Sequence, residues 1–219
     1  MANTTFNGKV RSENGFAQIT KTAATGAITE NTTIDSSGNV SAGGTLSVTG
    51  RSTLTGNTIA TTAGTGITTG TGTVYEAGVI KIGEVFHTTI LIDLTGLASS
   101  GSGDIIGKAA TANSHIGQIT AAVNGTVLGG KLTCLEAPAG GDPDINLWYA
   151  DEATGTEDAA VTGLTNQVQI CDSGDLALNS VVSLATVAAD KYLYMATGAA
   201  TNADYTAGKI LIEFWGYTA

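Results

Sequence analysis

The sequence predicts an all-β protein: an extended N-terminal arm with short strands and turns, followed by an antiparallel β-sandwich or jelly-roll-like domain. Of its 219 residues, 30 are glycine and 36 are threonine. Both types disfavour helices, glycine through its backbone entropy and threonine through its stiff branched side chain. In addition, short apolar runs separated by turn-rich stretches recur through the C-terminal two thirds of the chain. That spacing is typical of sandwiches and barrels, and a helical bundle is excluded.

The composition changes near Val74 and divides the chain into an arm, residues 1–74, and a domain, residues 75–219. The arm holds 12 glycines and 20 threonines but only 14 large apolar residues, and its net charge is +1 against −11 for the domain. So few apolar side chains do not offset the entropy lost on ordering a backbone. We therefore expect the arm to order by lying along another protein or by winding around copies of itself. A flexible Gly/Ser/Thr linker is the alternative.

The apolar residues of the arm are evenly placed, which argues against a purely flexible tether. Ile28, Ile34, Val40 and Leu46 follow one another at six-residue intervals. From Ser37 onward, Gly-Asn and Gly-Gly turns alternate with short segments such as Thr-Leu-Ser-Val-Thr, which places one apolar face on a short strand. This is a weak and imperfect repeat of strand and turn.

The domain contains eight or nine candidate strands. They span residues 79–82, 84–95, 116–123, 126–136, 145–150, 166–172, 178–187, 191–197 and 208–217. Residues 176–189 also match helical spacing, but we favour a strand there. The closing strand is apolar on both faces, so we expect one of them to meet another copy of the chain. The candidate trimer contacts are Ile210, Ile212, Phe214 and Trp215.

No catalytic motif is present in the sequence, and we predict no enzyme activity, no catalytic residue and no cofactor. His87 and His115 are interpreted as structural or surface residues, although a His–Cys–Asp triad is conceivable on paper. Cys134 and Cys171 lie 37 residues apart, which fits neither a zinc site nor a CxxC pair. We expect two buried reduced thiols, with a disulfide between neighbouring strands as the alternative.

Two further stretches contain residue types that occur in binding sites. Asp142-Pro143-Asp144 is the densest acidic stretch; we interpret it as a solvated turn capped by Asp142 rather than as a Ca²⁺ site, and predict no metal. Trp148 and Tyr149 nearby are interpreted as core residues, with contact to carbohydrate as the alternative.

The charge balance excludes several partners. Nine scattered Lys and Arg residues against 19 Asp and Glu do not form the basic clusters that bind nucleic acid or anionic membranes. The opening MANTTFNGKV lacks the basic and apolar regions of a signal peptide, and no apolar run reaches 18 residues. We therefore expect synthesis in the cytoplasm without export signals. Few charges and many small side chains are typical of a subunit covered on several faces in an assembly.

Three stretches resemble structural proteins of tailed bacteriophages, in particular those of marine phages of cyanobacteria and related bacteria. They are Phe6-Asn7-Gly8-Lys9-Val10-Arg11-Ser12-Glu13-Asn14-Gly15-Phe16, the Gly38-Asn39-Val40 to Gly50 phrase, and Leu135-Glu136-Ala137-Pro138-Ala139-Gly140-Gly141-Asp142-Pro143-Asp144-Ile145. The resemblance covers most of the chain. Because these stretches are not catalytic signatures, they indicate a virion component better than they indicate which one.

The resemblance implies a head decoration (cement) protein on the capsid exterior, whose arm binds the major capsid protein and whose domain forms a homotrimer. The alternative is a tail or head fibre protein with a C-terminal knob that binds a host receptor such as carbohydrate. A third hypothesis is a carbohydrate-active enzyme displayed on the virion. The candidate capsid or inter-subunit contacts in the arm are Phe6, Val10, Arg11, Phe16, Ile19, Ile28, Ile34, Val40, Leu46, Val48 and Leu54.

Overall fold

The structure is a computed structural model that describes residues 16–21, 25, 28–34, 40–42 and 62–218. The chain divides into two compact units, Met1–Leu54 and Thr55–Ala219. Antiparallel sheets provide nearly all the regular structure, which confirms the all-β prediction. Helices within the described part are limited to two single α-turns and one 3-10 turn.

The first unit contains a three-stranded antiparallel sheet of β1 (Phe16–Lys21), β2 (Ile28–Ile34) and β3 (Val40–Ala42), in that order. Phe16 pairs with Ile34, and Ile34 in turn pairs with Val40, so three apolar residues share one row of the register. Short strands are therefore present in this unit, while the strand expected over residues 45–49 lies outside the described residues. Here they pair with one another, whereas the sequence alone led us to expect order only against a partner.

The described residues of the second unit, 62–218, form eleven strands, two single-turn α-helices and one 3-10 turn, Val161–Gly163. In chain order the α-helices and strands are α1 (Thr65–Thr68), β4 (Val74–Ile82), β5 (Val85–Asp93), β6 (Ala98–Ser99), β7 (Gly117–Ile119), α2 (Ala121–Asn124), β8 (Thr126–Ala139), β9 (Ile145–Ala150), β10 (Val168–Cys171), β11 (Val181–Leu184), β12 (Lys191–Thr197), β13 (Ala203–Asp204) and β14 (Ala207–Tyr217).

These strands form an antiparallel sandwich. One sheet has five strands in the order β11-β8-β14-β5-β4, and the other has four in the order β10-β9-β12-β7, while β6 and β13 form a separate two-stranded ladder. Both sheets contribute to one core, for example Ile90 from β5, Ile212 from β14, Leu147 from β9 and Met195 from β12. The predicted strands at 126–136, 145–150, 191–197 and 208–217 are all present, and residues 181–184 form a strand rather than a helix.

Strand β14 alternates strictly between the two faces of the sheet. Ile210, Ile212 and Phe214 are fully buried in the core, while Trp215 is 37% exposed on the opposite face. The proposal of all four as trimer contacts is corrected accordingly. The three core residues are enclosed by their own domain and cannot reach a second chain, because a strand's pleat directs alternate side chains to opposite faces.

Two segment boundaries differ from the sequence-based assignment. Residues 62–73, assigned to the arm, lie in the second unit: Ile67 of α1 is fully buried in the core, and the Gly64 amide donates to the His115 carbonyl at 2.9 Å. The strand expected over 116–123 ends at Ile119. There the Thr120 hydroxyl accepts a hydrogen bond from the Val123 amide and so caps α2.

A second, smaller core lies on the other face of the four-stranded sheet. It joins Tyr194 and Ala196 of β12 and Ala150 of β9 to Ile105 and Val161 from the long connections. The four-stranded sheet is therefore packed on both faces, whereas the described residues cover only one face of the five-stranded sheet.

Both cysteines are free and buried, Cys134 on β8 and Cys171 on β10. This agrees with the expectation of reduced thiols on strands. Burial raises the pKa of both thiols, that of Cys171 to about 11.

Replacing Phe214 by alanine should lower the free energy of unfolding by about 3–5 kcal/mol, because it removes a fully buried ring and leaves a cavity. Leu178→Ala is the control, since Leu178 is 59% exposed and its truncation should change stability by at most about 0.5 kcal/mol. Urea denaturation followed by circular dichroism measures both. Equal losses for the two variants would show that Phe214 does not lie in the core.

Candidate functional site

The outward face of the five-stranded sheet carries a contiguous apolar area. Cross-strand register places Ile80, His87 and Trp215 in one row and Ile82, Val85 and Tyr217 in the next. We call Ile80, Ile82, Val85, Trp215 and Tyr217 the apolar end; their exposed fractions are 53%, 75%, 49%, 37% and 39%. The solvent face of an antiparallel sheet is normally polar, and contiguous exposed apolar area marks interaction surfaces.

The largest side chain of the apolar end is held in place by its neighbours. The Trp215 ring stacks on the His87 ring, with centroids 5.4 Å apart and planes 7° apart. Lys131 Nζ lies 5.9 Å from the Trp215 ring centroid. Glu213 lies between His87 and Lys131, 3.0 Å from His87 Nε2 and 2.9 Å from Lys131 Nζ. A rigid aromatic ring loses little entropy on contact, which favours a role in binding.

The far end of the same face carries one lysine between two carboxylates and is therefore net acidic. Lys209 Nζ lies 2.6 Å from Glu136 and 3.3 Å from Asp93. The pKa of Asp93 is lowered although burial opposes this, because the Thr95 hydroxyl and amide and Lys209 stabilise its charged form. This end therefore keeps one negative charge, and the neutral part of the face is the apolar end.

The candidate contacts of the arm cannot be compared with this geometry. Phe16, Ile19, Ile28, Ile34 and Val40 lie on strands of the first unit, where only the backbone is described. The remaining ones, Phe6, Val10, Arg11, Leu46, Val48 and Leu54, lie outside the described residues.

The acidic turn is part of the structure's interior. Asp142 is only 1% exposed, so the expectation of a solvated turn is wrong, although its capping role is confirmed. One carboxylate oxygen accepts from the Asp144 amide at 3.1 Å, and the other accepts from the Ala199 amide at 2.8 Å. The carboxylate therefore joins two loops.

Asp144, in contrast to Asp142, lies where its negative charge is disfavoured. Burial raises its pKa, and the neighbouring carboxylates of Asp142, Asp172 and Asp175 raise it further. Its Oδ1 has no hydrogen-bond partner among the described residues. Despite these neighbours, the described part of the chain contains no group of three or more His, Cys, Asp or Glu side chains placed to hold a metal ion.

The two histidines lie in different surroundings. His87 contacts Glu213 and Trp215 on the outward sheet face, as described above. His115 packs edge-on against Tyr192 at 5.0 Å and Tyr194 at 6.4 Å, and burial lowers its pKa. No contact of either histidine with Cys134 or Cys171 is present in the described structure, so the conceivable triad is not assembled.

Trp148 and Tyr149 do not form a joint platform for a sugar. They are consecutive residues of β9, and their side chains lie on opposite faces: Trp148 packs on the smaller core and Tyr149 on the main one. A cavity of about 350 Å³ lies instead near His115, lined by Thr62, His115, Gln118, Thr120, Val123, Ala153 and Tyr192.

Sequence reasoning missed most of the apolar end. The Val-Ile-Lys-Ile-Gly-Glu-Val pattern predicts the strands of the β4–β5 hairpin. Alternation alone does not show which face of the resulting sheet is covered by the rest of the domain. The available signal was that residues 79–82 and 85–86, on either side of the hairpin turn, are apolar except for Lys81, so both faces carry apolar side chains there. In an isolated sandwich, one such face would be polar.

Comparison with protein-family models, with curated proteins and with solved structures finds no match for this chain. The helices of the described residues are all too short and too polar to cross a bilayer.

Replacing Asp142 and replacing Asp144 should change the free energy of unfolding in different ways. Asp142→Ala should lower the free energy of unfolding by about 1–3 kcal/mol for each amide that loses its acceptor. Asp144→Asn should leave stability unchanged or raise it at pH 7, because the raised pKa means that folding disfavours the charged carboxylate.

The pH dependence follows from the same linkage. As the pH falls through the raised pKa of Asp144, the native carboxyl becomes neutral, so the advantage of Asp144→Asn should disappear. Thermal denaturation of the wild type and both variants between pH 7 and pH 4 measures this. A large loss of stability in Asp144→Asn at pH 7 would contradict the assignment.

Proposed function

We propose that this chain is a virion structural protein: a head decoration protein on the capsid exterior that binds the major capsid protein and assembles with itself as a homotrimer. The observation that supports self-assembly is the exposed apolar end of the outward sheet face. The virion assignment rests on the resemblance of the Phe6–Phe16, Gly38–Gly50 and Leu135–Ile145 stretches to structural proteins of tailed phages.

A second copy of the chain is the occupant that best suits the apolar end. Its five side chains offer apolar area without an unpaired charge, and Glu213 beside them is already neutralised by Lys131. The domain as a whole carries −11, so copies repel one another except where their surfaces are locally neutral. Each large apolar side chain that becomes fully buried in the contact stabilises the association by about 1.5–3 kcal/mol.

Attachment to the capsid is assigned to the N-terminal segment. Its net charge of +1 makes it the less acidic part of a chain whose total is −10. Strands β1 and β3 are the edges of the small sheet, and an exposed strand edge can pair with a strand of another protein. The acidic domain would then project outward, where like charge keeps particles dispersed.

The fibre protein with a receptor-binding knob remains the alternative. The two roles differ in copy number, which quantitative gel analysis of purified particles measures. A decoration protein covering a symmetric shell is present in roughly hundreds of copies, a fibre in about a dozen. Deleting residues 1–60 should abolish attachment to capsids, and a truncated chain that still coats them would overturn the assignment of attachment to this segment.

Self-association through the apolar end is tested by Ile82→Asp. Because Ile82 is 75% exposed, the substitution should leave the fold intact, as checked by circular dichroism, while it places a charge in the contact. Size-exclusion chromatography with light scattering should show a mass of three times 21.9 kDa for the wild type and a monomer for the variant.

Leu178→Asp is the matched control, since Leu178 is a 59% exposed residue outside the apolar end. It should remain trimeric. A monomeric wild type, or an Ile82→Asp variant that stays trimeric, would contradict this interface.

A further inference from the structure

The cavity beside His115 lies entirely within the second unit and belongs to neither the apolar end nor the N-terminal segment. Its volume of about 350 Å³ falls within the range of small-molecule sites. Two of its walls come from adjacent strands, since Gln118 of β7 and Tyr192 of β12 are direct partners in the register. Side chains placed on paired strands keep a fixed separation.

The remaining walls are also held by main-chain hydrogen bonds. The Gly64 amide donates to the His115 carbonyl at 2.9 Å, which fixes the segment that carries Thr62. The Ile116 amide donates to the Leu193 carbonyl at 2.7 Å, and Thr120 is fixed as the cap of α2. The cavity is therefore preformed, so a ligand would not have to order its walls.

The lining carries no formal charge. None of the seven residues is Asp, Glu, Lys or Arg, and burial lowers the pKa of His115, which keeps its imidazole neutral at neutral pH. Nδ1 of His115 is buried without a hydrogen-bond partner among the described residues, so a proton there would be an unpaired buried donor. An ionic ligand would lose its hydration without gaining a counter-charge.

The lining is nevertheless rich in groups that donate and accept hydrogen bonds. Thr62 and Tyr192 supply hydroxyls, and the Thr120 hydroxyl can donate its proton while its oxygen caps α2, next to the methyl groups of Val123 and Ala153. A pyranose ring has the complementary surface, with hydroxyls around its rim and C–H groups on its faces. Charged metabolites and purely apolar molecules both lack this combination.

We propose that this cavity binds an uncharged saccharide unit. The site is independent of the proposed trimer interface, since none of its lining residues belongs to the apolar end. It is compatible with either a decoration or a fibre protein.

The test uses the full-length protein and nuclear magnetic resonance. D-glucose, D-galactose, D-mannose, L-rhamnose and N-acetyl-D-glucosamine are each titrated to tens of millimolar, with D-glucuronate as the charged counterpart. At least one neutral sugar should give saturable shifts of the His115 and Gln118 side-chain resonances, and glucuronate should give none.

Two variants locate the site. Thr62→Val and Tyr192→Phe each remove one hydroxyl from the lining and should weaken binding about five-fold, the value of one ordinary hydrogen bond. Thr162→Val is the matched control, because Thr162 is exposed and does not line the cavity, and it should bind like the wild type.

Three results would overturn the proposal. They are the absence of saturable shifts with all five neutral sugars, binding of glucuronate as tight as that of the neutral sugars, and equal affinity of the control and both lining variants. None of these would affect the copy-number or mass measurements, so failure here is distinguishable from failure of the proposed function.

Discussion

The register of strand β14 is the constraint on which the rest of the sandwich depends. It is the central strand of the five-stranded sheet and pairs with β8 on one side and β5 on the other. Because side chains alternate with a period of two, a slip of one residue would turn Glu213 into the core and Ile212 and Phe214 out of it. Burying that carboxylate is far more costly than any rearrangement of apolar side chains. The pattern of the outward face, including the stacked Trp215, follows from this register.

The two sheets are packed differently, and this difference separates the two proposed sites. The four-stranded sheet is covered on both faces, by the main core and by the smaller core around Tyr194. The polar cavity beside His115 lies where the edge of this sheet meets the surrounding connections. The five-stranded sheet has one face without cover from the described residues, and that face is broad and partly apolar. A recess suits a small ligand and a flat face suits another protein, which is why the two proposed contacts fall on different sheets.

The sequence allowed the fold class and most strands to be predicted because glycine, threonine and alternating apolar residues act locally. It did not reveal which face of β14 is inside, since Leu211 and Trp215 are as apolar as Ile210 and Phe214. The buried position of Asp142 was missed for a related reason: its partners Ala199 and Tyr205 are distant in sequence. The cavity at His115 was not foreseen, because it requires the β7–β12 pairing and the close approach of the Gly64 segment. Long-range placement, and not local preference, determines each of these features.

The buried thiols have a consequence for how the protein responds to changes in the redox conditions around it. Oxidation begins from the thiolate, and a pKa of about 11 leaves only about one Cys171 side chain in a thousand ionised even at pH 8. Neither Cys171 nor Cys134 takes part in a disulfide. The second unit consequently neither needs an oxidising compartment to mature nor contains a bond that a reducing one would break. Its two sheets remain joined by packing alone when the redox conditions around the protein change.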